Sequence, residues 1–244
     1  MVLKAVLFDF NGVIINDEQI HEQLIEQVLL EENLRPKPGE FNQFCLGRSD
    51  RACLLSLLEN RGRYISEEYL GKILQRKTEA YQQELDTLEV LPIYPDAESL
   101  LFKLQVAELK IAVVSGALRS EIELILDRSG LARYFSLVVA GDDITTSKPE
   151  PDGYLLAMER LKQAHPELNL QPSECLVIED TFAGIEAAKR AGMKVVGVAH
   201  TYPFHMLQRL CNWTVDYLTE LEVDRVRRVF EGRERDVALE EISS

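Results

Sequence analysis

No run of apolar residues in this 244-residue chain is long enough to cross a bilayer. Its amino terminus enters a strand pattern directly, without the basic, apolar and small-residue succession of a secretory leader. These two absences set the expectation of a cytoplasmic protein. Cysteine is scarce. Cys45, Cys53, Cys175 and Cys211 form no C-x-x-C pair and no histidine cluster accompanies them, which argues against a structural zinc site and leaves them expected as buried thiols. Basic residues are also few, 27 against 41 acids, for a formal charge of −14. Nucleic acid and anionic membrane are therefore not expected as partners, since both need clustered Lys and Arg to replace counterions. The same charge repels small phosphorylated molecules, so a ligand of that kind requires local cations: a few Lys and Arg and a bound divalent metal.

What the chain does have is apolar residue, 46% of the total, enough for one large core or a core with an insertion. The run Ala5-Val6-Leu7-Phe8 leads into Asp9-Phe10-Asn11-Gly12-Val13, the pattern of a strand buried on both faces that ends in a carboxylate, an amide and a glycine. Open α/β sheets bind ligands outside the carboxyl ends of such strands. Three later segments end the same way. Ile111-Ala112-Val113-Val114 runs into Ser115-Gly116, Leu176-Val177-Ile178 into Glu179-Asp180, and Thr145-Thr146-Ser147-Lys148-Pro149 offers a cation held extended by the proline after it. A nucleophile, a hydroxyl, a lysine and an acid pair are the parts that phosphoryl transfer uses.

Between the first strand and the second lies a long helical stretch, with Ile20, Leu24, Val28 and Leu29 at helical spacing, a helix over 51–59, and another from Glu67 capped by Ser66. Pro36-Lys37-Pro38-Gly39 interrupts this bundle and Pro92-Ile93-Tyr94-Pro95 ends it. Beyond it helix and strand alternate, which predicts a doubly wound parallel sheet. The expected organisation is a core of residues 1–15 and 92–222, an inserted helical domain of 16–91, and a charged helical tail of 223–244 whose Arg225, Arg227 and Arg228 read as a solvated face.

The set of four motifs, Asp9-Phe10-Asn11-Gly12-Val13, Ser115-Gly116, Lys148-Pro149-Glu150-Pro151 and Glu179-Asp180-Thr181-Phe182-Ala183-Gly184, resembles the haloacid dehalogenase-like superfamily, in the subfamily that contains β-phosphoglucomutase and phosphoglycolate-type phosphatases. The resemblance covers all but the tail. It implies an α/β Rossmann-like core, a doubly wound parallel sheet, with an inserted α-helical cap. It further implies Asp9 as nucleophile, Lys148 and Mg²⁺ as neutralising charges, and Ser115 with Gly116 and Ala117 as the cradle of the transferring phosphoryl group. Carried over, the Mg²⁺ ligands are Asp9, the backbone carbonyl of Asn11 and Asp180, with Glu179 as another ligand or as an acceptor behind them. Tyr154 reads as helix packing.

The chain departs from the pattern at Asn11, where most relatives carry an aspartate that protonates the leaving oxygen and then activates water. Such acid–base help is typically worth ~10² to 10⁴ in rate. An amide does neither, so Asn11 is expected to attenuate turnover while still lending its carbonyl to metal. Asn16 is a second amide in an acid's place. Asp17, Glu18 and His21 are nearby substitutes, and His21 matches a histidine of mutase-like members. In the cap, Leu46-Gly47-Arg48-Ser49-Asp50-Arg51 resembles the family's specificity loop, which implies Arg48 or Arg51 as a clamp on the substrate; ion pairing with Asp50 and Glu59 is the alternative. The expected activity is a Mg²⁺-dependent phosphohydrolase for a small phosphorylated metabolite, acting through an aspartyl phosphate. A sugar-phosphate mutase, a catalytically weak phosphometabolite-binding protein and a dehalogenase are the alternatives.

Overall fold

The computed structural model describes residues 1–234. Strand β1 (Ala5–Phe8) is followed by four helices, α1 (Glu18–Glu31), α2 (Glu40–Phe44), α3 (Asp50–Asn60) and α4 (Glu67–Thr87). Then come α5 (Ala97–Val106), β2 (Lys110–Val114), α6 (Arg119–Ser129), β3 (Leu137–Val139), α7 (Asp152–Ala164), β4 (Cys175–Glu179), α8 (Phe182–Arg190), β5 (Lys194–Val198), α9 (Phe204–Leu207), β6 (Trp213–Val215) and α10 (Val223–Phe230). Among the described residues six strands, all parallel, lie in the order β3-β2-β1-β4-β5-β6. The fold is α/β and Rossmann-like.

The continuous apolar runs follow from this layering, because alternate residues of each strand enter different layers and both layers are dry. Val6, Phe8, Ile111, Val113, Leu176 and Ile178 pack with Leu100, Leu104 and Ile122 of α5 and α6. Leu7, Ala112, Val114 and Val177 pack with Tyr154, Ala157 and Ile185 of α7 and α8. Strand β1 lies at the centre, with β2 on one side and β4 on the other, so the chain reverses its winding beside Asp9. That reversal opens a crevice at the carboxyl ends of β1, β2 and β4.

Helices α1, α3 and α4 share a core of their own, built on Ile25, Val28, Leu54, Leu57, Leu58, Leu70 and Ile73. The segments that lead to it and back run side by side: Asn16 N donates to the Pro92 carbonyl (2.8 Å) and Tyr94 N to that of Ile14 (3.0 Å). The Ser66 hydroxyl caps α4 by accepting from Tyr69 N.

Two expectations need correction or limit. Only Cys175 and Cys211 are buried thiols; Cys45 and Cys53 form a disulfide. The chain folds back between the end of α2 and the first turn of α3 and brings their Cα atoms to 4.4 Å, which eight residues of sequence separation do not reveal. Of the tail, α10 packs inward through Val226 and Phe230, the latter ring 6.3 Å from Trp213, while Arg225 and Arg228 pair with Glu234. Residues 235–244 lie outside the described part. Among the described residues no helix is long and apolar enough to cross a membrane.

Candidate active site

Asp9 follows the last residue of β1 and is nearly fully buried, and its N–H continues the sheet ladder to the Ile178 carbonyl. Lys148, on the loop between β3 and α7, reaches it at 2.7 Å and touches Glu179 Oε1 at 2.6 Å. Glu179 is saturated. Its Oε1 also accepts from the Tyr154 hydroxyl (2.9 Å), and its Oε2 from Asp180 N (3.0 Å), Thr181 N (3.1 Å) and the Thr181 hydroxyl (3.0 Å). Of the two roles open to Glu179, that hydrogen-bonding favours the acceptor that fixes the lysine. Tyr154 is therefore more than packing: it sits in α7 and orients Glu179.

Asp180 differs. Its Oδ2 accepts from the Thr201 hydroxyl, but among the described residues the buried Oδ1 has no partner. Oxygens of Asp9, Glu179 and Asp180 all lie within 4.8 Å of one another. Burial and the neighbouring Glu179 lift Asp9 to about 7 against the pull of Lys148, and burial with Glu179, Glu18 and Asp9 pushes Asp180 well above the carboxylate range. Lys148 is held protonated, because Asp9 and Glu179 outweigh the burial that would lower it. One ammonium thus faces three carboxylates. A hard, oxygen-only donor set with an orphaned buried oxygen fits a divalent cation such as Mg²⁺.

The phosphoryl-binding candidates from β2 also gather here. Ser115 accepts from Ala117 N (3.0 Å) and donates to Asn11 Oδ1 (3.2 Å). Gly116 lies under the α2–α3 loop, where an added Cβ would stand 2.8 Å from Ser49 N and Cα. Ser49 N donates to the Ser147 hydroxyl (2.8 Å), so the loop rests on the core beside Lys148. The cavity beneath is lined by Asp9, Asn11, Glu18, His21, Arg48 and Lys148, among others.

Asn11 is not free to turn. Its Nδ2 donates to Asp17 at 3.1 and 3.0 Å, while Oδ1 faces Ser115. Asp17 is fully buried; it also accepts from the Tyr81 hydroxyl and lies 3.3 Å from His21 Nε2, and these partners overcome burial and hold it ionised. The Lys77 ammonium stands 2.7 Å from His21 Nδ1. An ammonium only donates, so Nδ1 accepts and the ring proton is on Nε2, toward Asp17. Lys77, wholly buried in α4, also meets Asp50 (2.5 Å) and Glu121 of α6 (3.6 Å), and Thr78 donates to Glu121 (3.0 Å). Sequence reasoning missed Lys77, Tyr81 and Glu121; a lysine on a polar helix gives no sign of burial.

The arginines separate. Arg48 lines the cavity; its guanidinium donates to the Phe44 carbonyl (3.1 Å) and Ser56 (3.2 Å), and among the described residues its buried Nε has no partner. Arg51 is not brought to the site. It lies in the first turn of α3 and pairs with Glu67 on the surface (2.5 Å).

A model of haloacid dehalogenase-like hydrolases matches residues 6–198. The chain belongs to that family. It is a phosphatase-like member, 31% identical over 193 residues to a phosphoglycolate phosphatase of Aquifex aeolicus, a match that covers 79% of this chain and 83% of the relative. It is 29% identical over 226 residues to the β-phosphoglucomutase of Bacillus subtilis, covering 90% and 93%. The fold matches a solved β-phosphoglucomutase from Clostridium difficile with a TM-score of 0.79 at 24% identity, over 94% of this chain and 98% of that one.

Proposed function

We propose that this enzyme hydrolyses the phosphate monoester of a small metabolite, with Mg²⁺, through an aspartyl phosphate on Asp9. The observation that carries the reading is the buried Asp9–Lys148 contact beside Asp180, one oxygen of which has no partner among the described residues. Asp9, Asp180 and the Asn11 carbonyl would hold the cation, which when bound neutralises charge on the carboxylates and on the phosphoryl oxygens.

The Asp9 carboxylate attacks phosphorus, forming an acyl phosphate as the bond to the leaving oxygen breaks. Lys148 holds Asp9 in place and balances the incoming negative charge, while Ser115 and the Gly116 and Ala117 backbone receive the equatorial oxygens. Water then cleaves the acyl phosphate and returns Asp9 and free phosphate. The α1–α4 bundle acts as a cap: its Ser49 loop closes over Gly116 and excludes water from the first step. The Asn11 amide, tied to Asp17, gives the leaving oxygen no proton, so turnover of poor leaving groups is slow. Arg48 and His21 face the leaving group.

Purified protein tested against a panel of phosphomonoesters should release phosphate with Mg²⁺ and not with EDTA, fastest from aryl or acyl phosphates. No release from any of them would sink the reading. Tight binding without hydrolysis would instead leave a phosphometabolite-binding protein, the reading that the locked Asn11 amide favours next.

A further inference from the structure

Glu18 is the first residue of α1 and lines the same cavity as Asp9, yet nothing in the scheme above uses it. Among the described residues its carboxylate has neither an ion pair nor a hydrogen bond beyond that to its own backbone N–H. It is half-buried, whereas a first-turn glutamate is normally exposed. It lies against Gly12, where the backbone has φ +77° and an added Cβ would collide with Asp180 Oδ2 and stand 2.6 Å from Glu18 Oε1. The oxygens of Glu18 and Asp180 therefore flank one point, with no side chain between them. Asp180 is itself fully buried, and its Oδ1 is the partnerless oxygen.

An uncompensated carboxylate in such a place is costly. The one ammonium of the centre, Lys148, is taken by Asp9 and Glu179. A helix start that keeps an acid here gains only if a positive charge comes to it. Glu18 is outside the group of oxygens that close to within 4.8 Å, so it is placed behind a cation held by Asp9 and Asp180 rather than in direct contact with it. Mg²⁺ suits that distance, because it keeps several of its waters and those waters donate to acceptors behind them.

We propose that Glu18 is the cap's contribution to the cation site, accepting from a water of the bound cation and so tying the position of α1 to metal occupancy. The proposal rests on the reading that the site takes Mg²⁺. By linkage, a cap drawn toward the site by the cation also tightens the cation when it closes.

The test is calorimetric titration of the full chain with Mg²⁺, and separately with Mn²⁺, in wild type, Glu18→Gln, and Glu26→Gln, an exposed position on the same helix. Groups behind a metal typically contribute ~10- to 100-fold in affinity. Glu18→Gln should weaken the Kd by that factor and Glu26→Gln should leave it unchanged. Thermal melting of the same proteins supplies a second readout: without metal, Glu18→Gln should melt at or above wild type because one acid of the acid-lined crevice is gone, and saturating Mg²⁺ should raise its Tm less. A purely structural glutamate would give a lower metal-free Tm instead. A Glu18→Gln Kd within twofold of wild type overturns the proposal and leaves the phosphatase reading standing, whereas a wild type that binds neither cation overturns both.

Discussion

Asn11→Asp is the substitution that restores the usual acid–base residue, and in this chain it does more than that. The new carboxylate would replace an amide that donates to both Asp17 oxygens at 3.0 and 3.1 Å. Two hydrogen bonds are lost, and two unit charges about 3 Å apart repel by roughly 5 kcal/mol at an effective dielectric of about 20. The pair relieves this by sharing one proton, as adjacent carboxylates do. The variant should therefore be less stable than wild type by a few kcal/mol at alkaline pH, about 5–10 °C in Tm for a chain of this size, and by less at acid pH, where the shared proton is present. Adding Asp17→Asn should return most of the loss, so the double-mutant cycle should show coupling of about 2 kcal/mol or more. Turnover should move the other way. A protonated residue 11 supplies the missing acid, and kcat for alkyl phosphates should rise toward the ~10²-fold that such a group brings. Melting curves across pH and steady-state kinetics on one alkyl and one aryl phosphate measure both. If Asn11→Asp melts like wild type at every pH and shows no coupling to Asp17→Asn, the locked-amide account is wrong.

Asp9 sits near pH 7 in the fold against 3.8 ordinarily, raised by burial and then by Glu179, so the folded chain holds this proton more tightly than the unfolded one. The contribution of Asp9 to metal-free stability should then be full below about pH 4 and be lost, roughly 4 kcal/mol, as pH rises through 7. Saturating Mg²⁺ should raise Tm more at about pH 8 than at about pH 5; an equal gain would contradict the charge balance assigned to Asp9. Cys53→Ala should cost about 2–3 kcal/mol, because the disulfide closes only a short loop. It should also raise KM, since Cys45 and Arg48 line the same cavity; an unchanged KM would separate the loop from substrate. Gly116→Ala puts a methyl 2.8 Å from the Ser49 backbone and should lower kcat/KM by about tenfold or more through misplaced closure, with the Tm of the open form little changed; wild-type kinetics would show that the loop does not close on Gly116.

The ends of β1, β2 and β4 were legible because a strand buried on both faces must be apolar until it reaches the crevice, and the first polar residue then marks the site. Asp9, Ser115 and Glu179-Asp180 were singled out that way, and Lys148 by its place in the Lys-Pro-x-Pro motif of the four-motif set. Strand β6, three residues at the sheet edge and half exposed in Trp213 and Thr214, carries no such run. Arg48 and Arg51 were indistinguishable in sequence because only the start of α3 decides which points inward. The disulfide and the Lys77–Asp50–Glu121 contacts join segments whose approach is set by helix packing. The order of Glu179 and Asp180 shows the same limit: two adjacent acids look alike, and only the five hydrogen bonds on Glu179 and the orphaned oxygen on Asp180 tell the lysine's anchor from the oxygen we propose for the cation.

The most direct measurement is acid quench of the enzyme during turnover of an aryl phosphate with Mg²⁺, followed by peptide mass spectrometry. The account expects one phosphoryl group on the peptide that contains Asp9, discharged by hydroxylamine, lost when EDTA replaces Mg²⁺ and absent from Asp9→Asn. Phosphate release with no adduct at Asp9, or an adduct that survives in Asp9→Asn, would contradict it.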